Sequence, residues 1–163
     1  MQARVEFLPE KKLVGISMEM SLAKNRTYQL WSSFMPQRDL VENKIDSNFY
    51  SLQIYDKVFD PKAFKPTTDF VKWAAVEVSE FGSNETDFET MVLPEGHYAV
   101  FLHKGLPSDF PKSFQFIFGE WLPKSDYILD DRPHFELLGS KYKNNHPDSE
   151  EEIWIPIKPK KIE

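Results

Sequence analysis

The chain reads as an α+β protein of two β-α-β-β halves, each with antiparallel strands and one long helix. Three observations predict this class. Segments with period-two alternation fall in two groups, Leu13 to Ser79 and His97 to Ile157. Each group holds one stretch whose apolar residues recur at spacings of three and four, the mark of a helix with one buried face. The 163 residues, 40% hydrophobic and 15% aromatic, suffice for one packed core shared by both halves but leave little for a second domain.

In the first half, about residues 11–80, Val5 to Met20 alternates loosely and Leu13–Met20 reads as a strand, with Val14, Ile16, Met18 and Met20 on one face. Asn25-Arg26-Thr27 offers cap chemistry, and Tyr28, Trp31, Phe34 and Met35 follow at helical spacing. Pro36 interrupts them, so the helix either ends near Met35 or restarts after a kink through Leu40-Val41. Phe49 to Tyr55 is a strand with Leu52 and Ile54 on one face and Ser51, Gln53 and Tyr55 on the other. After a loop bounded by Pro61 and Pro66, Phe70 to Ser79 is the next strand, with Ala74, Val76 and Val78 opposite Trp73, Ala75 and Glu77. Phe81 to Asp87 is turn-rich, and Phe88 to Leu93 reads as a short extra strand.

The second half, about residues 94–158, opens on the turn Pro94-Glu95-Gly96 and the strand His97 to Lys104. Pro107-Ser108-Asp109 supplies helix-start chemistry, followed by the stripe Phe110, Phe114, Ile117, Phe118, Trp121 and Leu122, with Pro123 just past it. Strands Phe135 to Leu138 and Ile153 to Ile157 complete the unit. Asp130-Asp131-Arg132 and Asn144 to Glu152 read as polar loops, the run Asp148 to Glu152 as solvated, and the tail Lys158 to Glu163 as frayed. Neither half has enough strands and helix to stand alone. Packed about a pseudo-twofold axis, the two would share a core and leave a cleft between them.

Composition narrows function by exclusion. The net charge of −6 argues against a generic phosphate-backbone binder and for no direct DNA binding. With no cysteine, disulfides, thiol nucleophiles and thiolate metal sites are excluded. The four histidines lack paired ligand spacing, so no metal is expected; no cofactor motif is present, since the six glycines are scattered. Ser108 and Ser125 lack a nucleophile elbow, and no residue is assigned a catalytic role. No apolar run approaches the ~20 residues of a membrane span. Without a signal peptide at Met1 to Glu6, the expected location is the cytoplasm.

One acidic residue stands out. Strand alternation sets Glu136 opposite Phe135 and Leu137, and sets Trp154 and Pro156 opposite Ile153, Ile155 and Ile157. If the apolar faces lie beneath the helices, Glu136 and Trp154 look together into the cleft, and the same parity adds Tyr55 and Trp73. A carboxylate among aromatic rings suits an organic cation, through countercharge and cation–π attraction. The alternative from spacing alone is a surface glutamate on an edge strand. Trp121, Trp31 and Tyr28 sit on helix stripes, where core packing competes with a place in the ligand wall.

Three motifs in order carry a resemblance: Gly119-Glu120-Trp121-Leu122-Pro123-Lys124-Ser125, Pro133-His134-Phe135-Glu136, and Glu152-Ile153-Trp154-Ile155-Pro156-Ile157. Together they resemble the GyrI-like effector-binding family, over Lys11 to Lys158. The resemblance implies a free-standing bacterial domain with a ligand at the junction of two α+β halves, and makes Glu136 the ligand-facing acid. Trp154 takes an aromatic position that is often tyrosine in the family. The implied function is binding of an apolar, cationic small molecule, as a drug-binding or sequestering protein. The site would comprise Glu136, Trp154, Tyr55, Trp73, Trp121 and Trp31. No segment before Leu13 is long enough for a helix-turn-helix, so any role in transcription regulation would run through a protein partner. Two alternatives stand: a hydrolase of strained electrophiles using Glu136 and Tyr55, and a gyrase-inhibitor-like protein-binding module.

Overall fold

The computed structural model describes residues 1–82 and 88–161. Its elements in chain order are β1 (Ala3–Leu8), β2 (Lys11–Met20), α1 (Thr27–Phe34), β3 (Phe49–Ile54), β4 (Phe70–Val78), β5 (Glu89–Leu93), β6 (Gly96–Lys104), α2 (Phe110–Phe116), β7 (Tyr127–Leu129), β8 (His134–Leu138) and β9 (Glu150–Pro159). The sheet runs β1-β6-β9-β8-β3-β4-β2-β5, with β7 added to β9, and every ladder is antiparallel. The fold is therefore α+β with a mostly antiparallel sheet.

Pro36 ends α1 and the chain tightens into a 3-10 turn at Met35–Leu40, because a proline nitrogen cannot donate to the α-ladder. After α2 the chain runs on through a π-helical stretch, Ile117–Trp121, where the Leu122 N–H donates to the Ile117 carbonyl five residues back. A last turn, Leu122–Lys124, admits Pro123 near its start. At the other helix start, the Asn25 carboxamide oxygen accepts from the Thr27 N–H at 2.9 Å.

Four sequence expectations are corrected. β1 is a strand of its own: Pro9 ends it, and the chain then crosses from the β6 edge to pair with β4 and β5. β7 is a further strand that the pattern did not announce. The acidic run Glu150–Glu152 is strand, not loop, because it pairs with Lys104, His103 and Leu102 of β6, and Arg4 adds an ion pair to Glu152 at 2.7 Å. Lys158 and Pro159 also belong to β9, held by Ile128 and Tyr127 of β7. Of the turn-rich segment, 83–87 lies outside the described residues, as do 162–163 of the tail.

Both faces of the sheet are apolar. One carries α1 over Val14, Phe70, Ala74 and Val76, and α2 over Ala99, Phe101, Ile153 and Ile155. The other carries a single cluster from Leu8 through Tyr98, Trp154, Phe135, Leu52 and Trp73 to Leu93, with no helix residue in it. These side chains are buried nonetheless. A sheet can hide a face without a helix by curling over it, as a strongly twisted antiparallel sheet does. Close packing of β2 on β4 depends on Gly15, where a Cβ would lie 1.9 Å from the Ala74 carbonyl oxygen.

Candidate ligand-binding site

Residues directly opposite in an antiparallel ladder share a face. The pairs Gln53↔Lys72, Ser51↔Glu136, Glu136↔Ile153 and His103↔Glu151 therefore set Lys72, Gln53, Glu136 and Glu151 on the helix-bearing face. They form a polar strip between the residues under α1 and those under α2. Leu52↔Trp73, Leu52↔Phe135 and Phe135↔Trp154 form the row behind them, on the helix-free face.

Glu136 and Trp154 thus do not converge, and Trp73 lies with Trp154. The expected convergence assumed that β8 and β9 both turn their apolar residues toward the helices. Ile153 does so, but its partner across the ladder is Glu136, while Phe135 and Leu137 pack into the helix-free cluster. Trp154 stacks on Phe135 with ring centroids 5.3 Å apart, and its indole N–H donates to Glu152 at 3.1 Å. Trp121 is also apart from the strip: it packs edge-on against Phe101 and stacks on Tyr127, against the cluster under α2.

Tyr55 and Trp31 remain on the side of Glu136. Tyr55, one residue past β3, meets Phe59 at 4.6 Å and His134 at 5.2 Å between ring centroids. Phe59, from the loop between β3 and β4, also reaches Phe118, so it bridges the two helical layers at one end of the strip. Trp31 stands on α1 edge-on to Phe49 of β3 at 6.0 Å. From α2 and the π-helical stretch after it comes a ladder of stacked rings, Phe110, Phe114 and Phe118.

Glu136 is half-buried rather than sealed. Burial raises its pKa; Lys72 and the Gln53 hydrogen bond pull the other way. The Gln53 amide satisfies both neighbours in one orientation only. Its nitrogen then donates to Glu136 Oε2 at 3.0 Å, and its oxygen accepts from Lys72 Nζ at 3.2 Å. Burial and then the Glu136 charge push the Tyr55 phenol well above its ordinary value, so it keeps its proton at neutral pH. His134 is buried and its pKa drops to about 3, first through desolvation and then through Arg132, leaving a neutral ring. A recess of about 80 Å³ opens at this end of the strip, lined by Tyr55, Lys57, Phe59, Arg132 and His134 among others. Glu136 is not among its walls.

Lys72, Gln53 and Glu151 were not singled out from the sequence. Lys72 was legible, since it shares parity with Ala74 and Val76, and a lysine on an otherwise apolar strand face asks for a partner. Glu151 was hidden inside the acidic run. Among the described residues no group of three or more His, Asp or Glu side chains could hold a metal ion. No helix among them is long and apolar enough to cross a membrane.

This arrangement is an α+β domain with an antiparallel sheet and two helical layers flanking a carboxylate-bearing strip. The chain belongs to the GyrI-like family, described as a GyrI-like small molecule binding domain, whose sequence profile matches residues 1–158. It is 26% identical over 158 residues to the transcriptional regulator BrlR of Pseudomonas aeruginosa, covering 96% of this chain. The chain spans 56% of that relative's length. Its fold is similar to the C-terminal domain of EcmrR, with a TM-score of 0.72 at 18% identity over 98% of each chain. It is also similar to SAV2435 solved with tetraphenylphosphonium, with a TM-score of 0.63 at 20% identity over 97% of this chain and 94% of that one.

Proposed function

We propose that this protein binds an apolar organic cation on the strip between the helical layers, with Glu136 as its charge partner and Tyr55, Trp31, Phe49 and Phe118 as aromatic walls. In this reading two β-α-β-β halves are related by a pseudo-twofold axis between β3 and β8. The ligand lies in the cleft along that axis. The observation that carries the reading is the Glu136 carboxylate itself: half-buried, close enough for its charge to raise the Tyr55 phenol, and offset among the described residues by Lys72 acting through Gln53. A ring-bearing cation gains countercharge and cation–π attraction there that water cannot match. The tetraphenylphosphonium of SAV2435 is a cation of this kind. A recess of about 80 Å³ is well below the roughly 300 Å³ of ordinary ligand pockets, so entry requires Phe59 to swing out. Occupancy would then be reported to a protein partner in the cytoplasm, in keeping with the regulators among its relatives.

Calorimetry with tetraphenylphosphonium tests the assignment. Glu136→Gln keeps the size and removes the charge, and should weaken binding by about 1–3 kcal/mol, the scale of a charge-assisted contact. Equal affinity in wild type and variant would refute the role of Glu136.

A further inference from the structure

The strip holds a second carboxylate that the preceding reading does not use. Glu151 lies two residues from Ile153, the ladder partner of Glu136, so the two acids are diagonal neighbours on one face. Such neighbours stand roughly 7–8 Å apart. Glu151 is only 9% exposed, and among the described residues no hydrogen bond or ion pair holds its side chain. Its carboxylate oxygens keep contact with solvent, since among the described residues Arg132 Nη1 is the side-chain polar atom both sealed and unpaired, so Glu151 is a largely buried side chain whose acid group a ligand can reach.

The groups around it are committed elsewhere. His103, across the β6 ladder, spends Nε2 on the Leu106 carbonyl at 3.2 Å and Nδ1 on the Ser113 hydroxyl at 2.9 Å. A carbonyl only accepts, so Nε2 carries the proton and Nδ1 accepts from Ser113. Tyr142 meets Asn144 at 3.4 Å. Lys72 is tied to Gln53. The Glu136 charge opposes that of Glu151. Burial is the larger cause; together they raise the Glu151 carboxyl to about 8, with Lys72 opposing. At neutral pH Glu151 therefore waits as the neutral acid.

We propose that Glu151 is a second ligand-contacting carboxylate, and that with Glu136 it selects compounds bearing two ammonium- or amidinium-type donors over those with one. This deepens the cation-binding reading and rests on it. To pair with the second cationic centre the Glu151 O–H bond breaks, leaving the carboxylate on the protein and passing the proton to the buffer.

Isothermal titration calorimetry with benzylamine and 1,4-bis(aminomethyl)benzene, one ring with one or two ammonium groups, tests this at pH 7 in two buffers of different ionisation enthalpy. Wild type should bind the diamine about tenfold or more tighter than the monoamine, as a charge-assisted contact requires. Diamine binding should release about one proton. Glu151→Gln should lose both the preference and the proton release while still binding benzylamine. Proton release is read on wild type, so the test does not depend on the variant's folding. Benzylamine binding that depends on Glu136, with no diamine preference or with proton release unchanged in Glu151→Gln, would overturn this proposal and leave the cation site standing. If wild type binds neither amine nor tetraphenylphosphonium, both fall together.

Discussion

Raising the pH above 6.5 should cost the folded protein stability, and Glu151→Gln should reduce that cost. The native Glu151 carboxyl is raised to about 8 from an ordinary 4.5, through burial first and the Glu136 charge second. Between those two values the native state keeps a proton that the unfolded chain has released, so stability is present at low pH and falls as pH rises through the native value. The slope approaches about 1.4 kcal/mol per pH unit. His134 works in the opposite sense. Its native pKa of about 3 lies below the ordinary 6.5, so it adds stability as pH rises across that range and nothing further above it. The clean window is therefore pH 6.5 to 8, where Glu151 alone would remove up to about 2 kcal/mol, and about 1 kcal/mol once partial solvation of the carboxyl is allowed for. Glu136, raised in the same direction and coupled to Glu151, adds to the slope, so the difference between the two proteins belongs to the pair. Urea unfolding followed by tryptophan fluorescence at pH 6.5, 7.2, 8 and 9, at constant ionic strength, reads this directly. The wild-type curve should fall relative to that of Glu151→Gln and the gap should level off above pH 8. Parallel curves across the window would mean that Glu151 is already ionised at pH 6.5, and the reasoning about its environment would fail.

Two further outcomes separate the faces of the sheet and the charges of the strip. Trp154→Leu, behind the sheet and stacked on Phe135, should lower stability by about 2–4 kcal/mol while leaving tetraphenylphosphonium affinity unchanged; an affinity loss in a folded variant would return Trp154 to the site. Lys72→Met removes the cation that favours ionised Glu136, so the pH midpoint of cation binding should move upward, and a midpoint unmoved or lowered would contradict the Lys72–Gln53–Glu136 chain.

Much of the fold was legible because its strands and helices are locally consistent. Period two marked β3, β4, β6 and β8 nearly to the residue, and the aromatic stripes marked α1 and α2. What was missed shares one cause. Glu150–Glu152 and Lys158–Pro159 carry charges that look solvated in isolation, and only their partners on β6 and β7 make them strand. Likewise β1 gains its identity from β6, from Leu8 paired with Gly96 to Ala3 paired with Phe101, far along the chain. Strand formation by such segments is a tertiary event, and propensity carries little of it.

The candidate site fails and succeeds on the same ground. Alternation tells which residues of one strand share a face, but not which face of the next strand joins them; that is decided by register, and a shift of one residue exchanges the faces. The aromatic residues of β8 and β9 were assigned by assuming that only one side of the sheet is apolar. Here both sides are, one covered by helices and one by the curl of the sheet, so hydrophobicity could not tell them apart. The informative residues were the polar ones instead. Ser51, Gln53, Lys72, Glu136 and Glu151 share the helix-bearing face of the central strands, between the clusters under α1 and α2. Apolar side chains in that place would form an exposed patch, and polar ones are tolerated only if they are paired or await a ligand. Lys72, Gln53 and Glu136 pair with one another, while the Glu151 carboxylate, which no described side chain pairs, stays open to solvent and to a ligand.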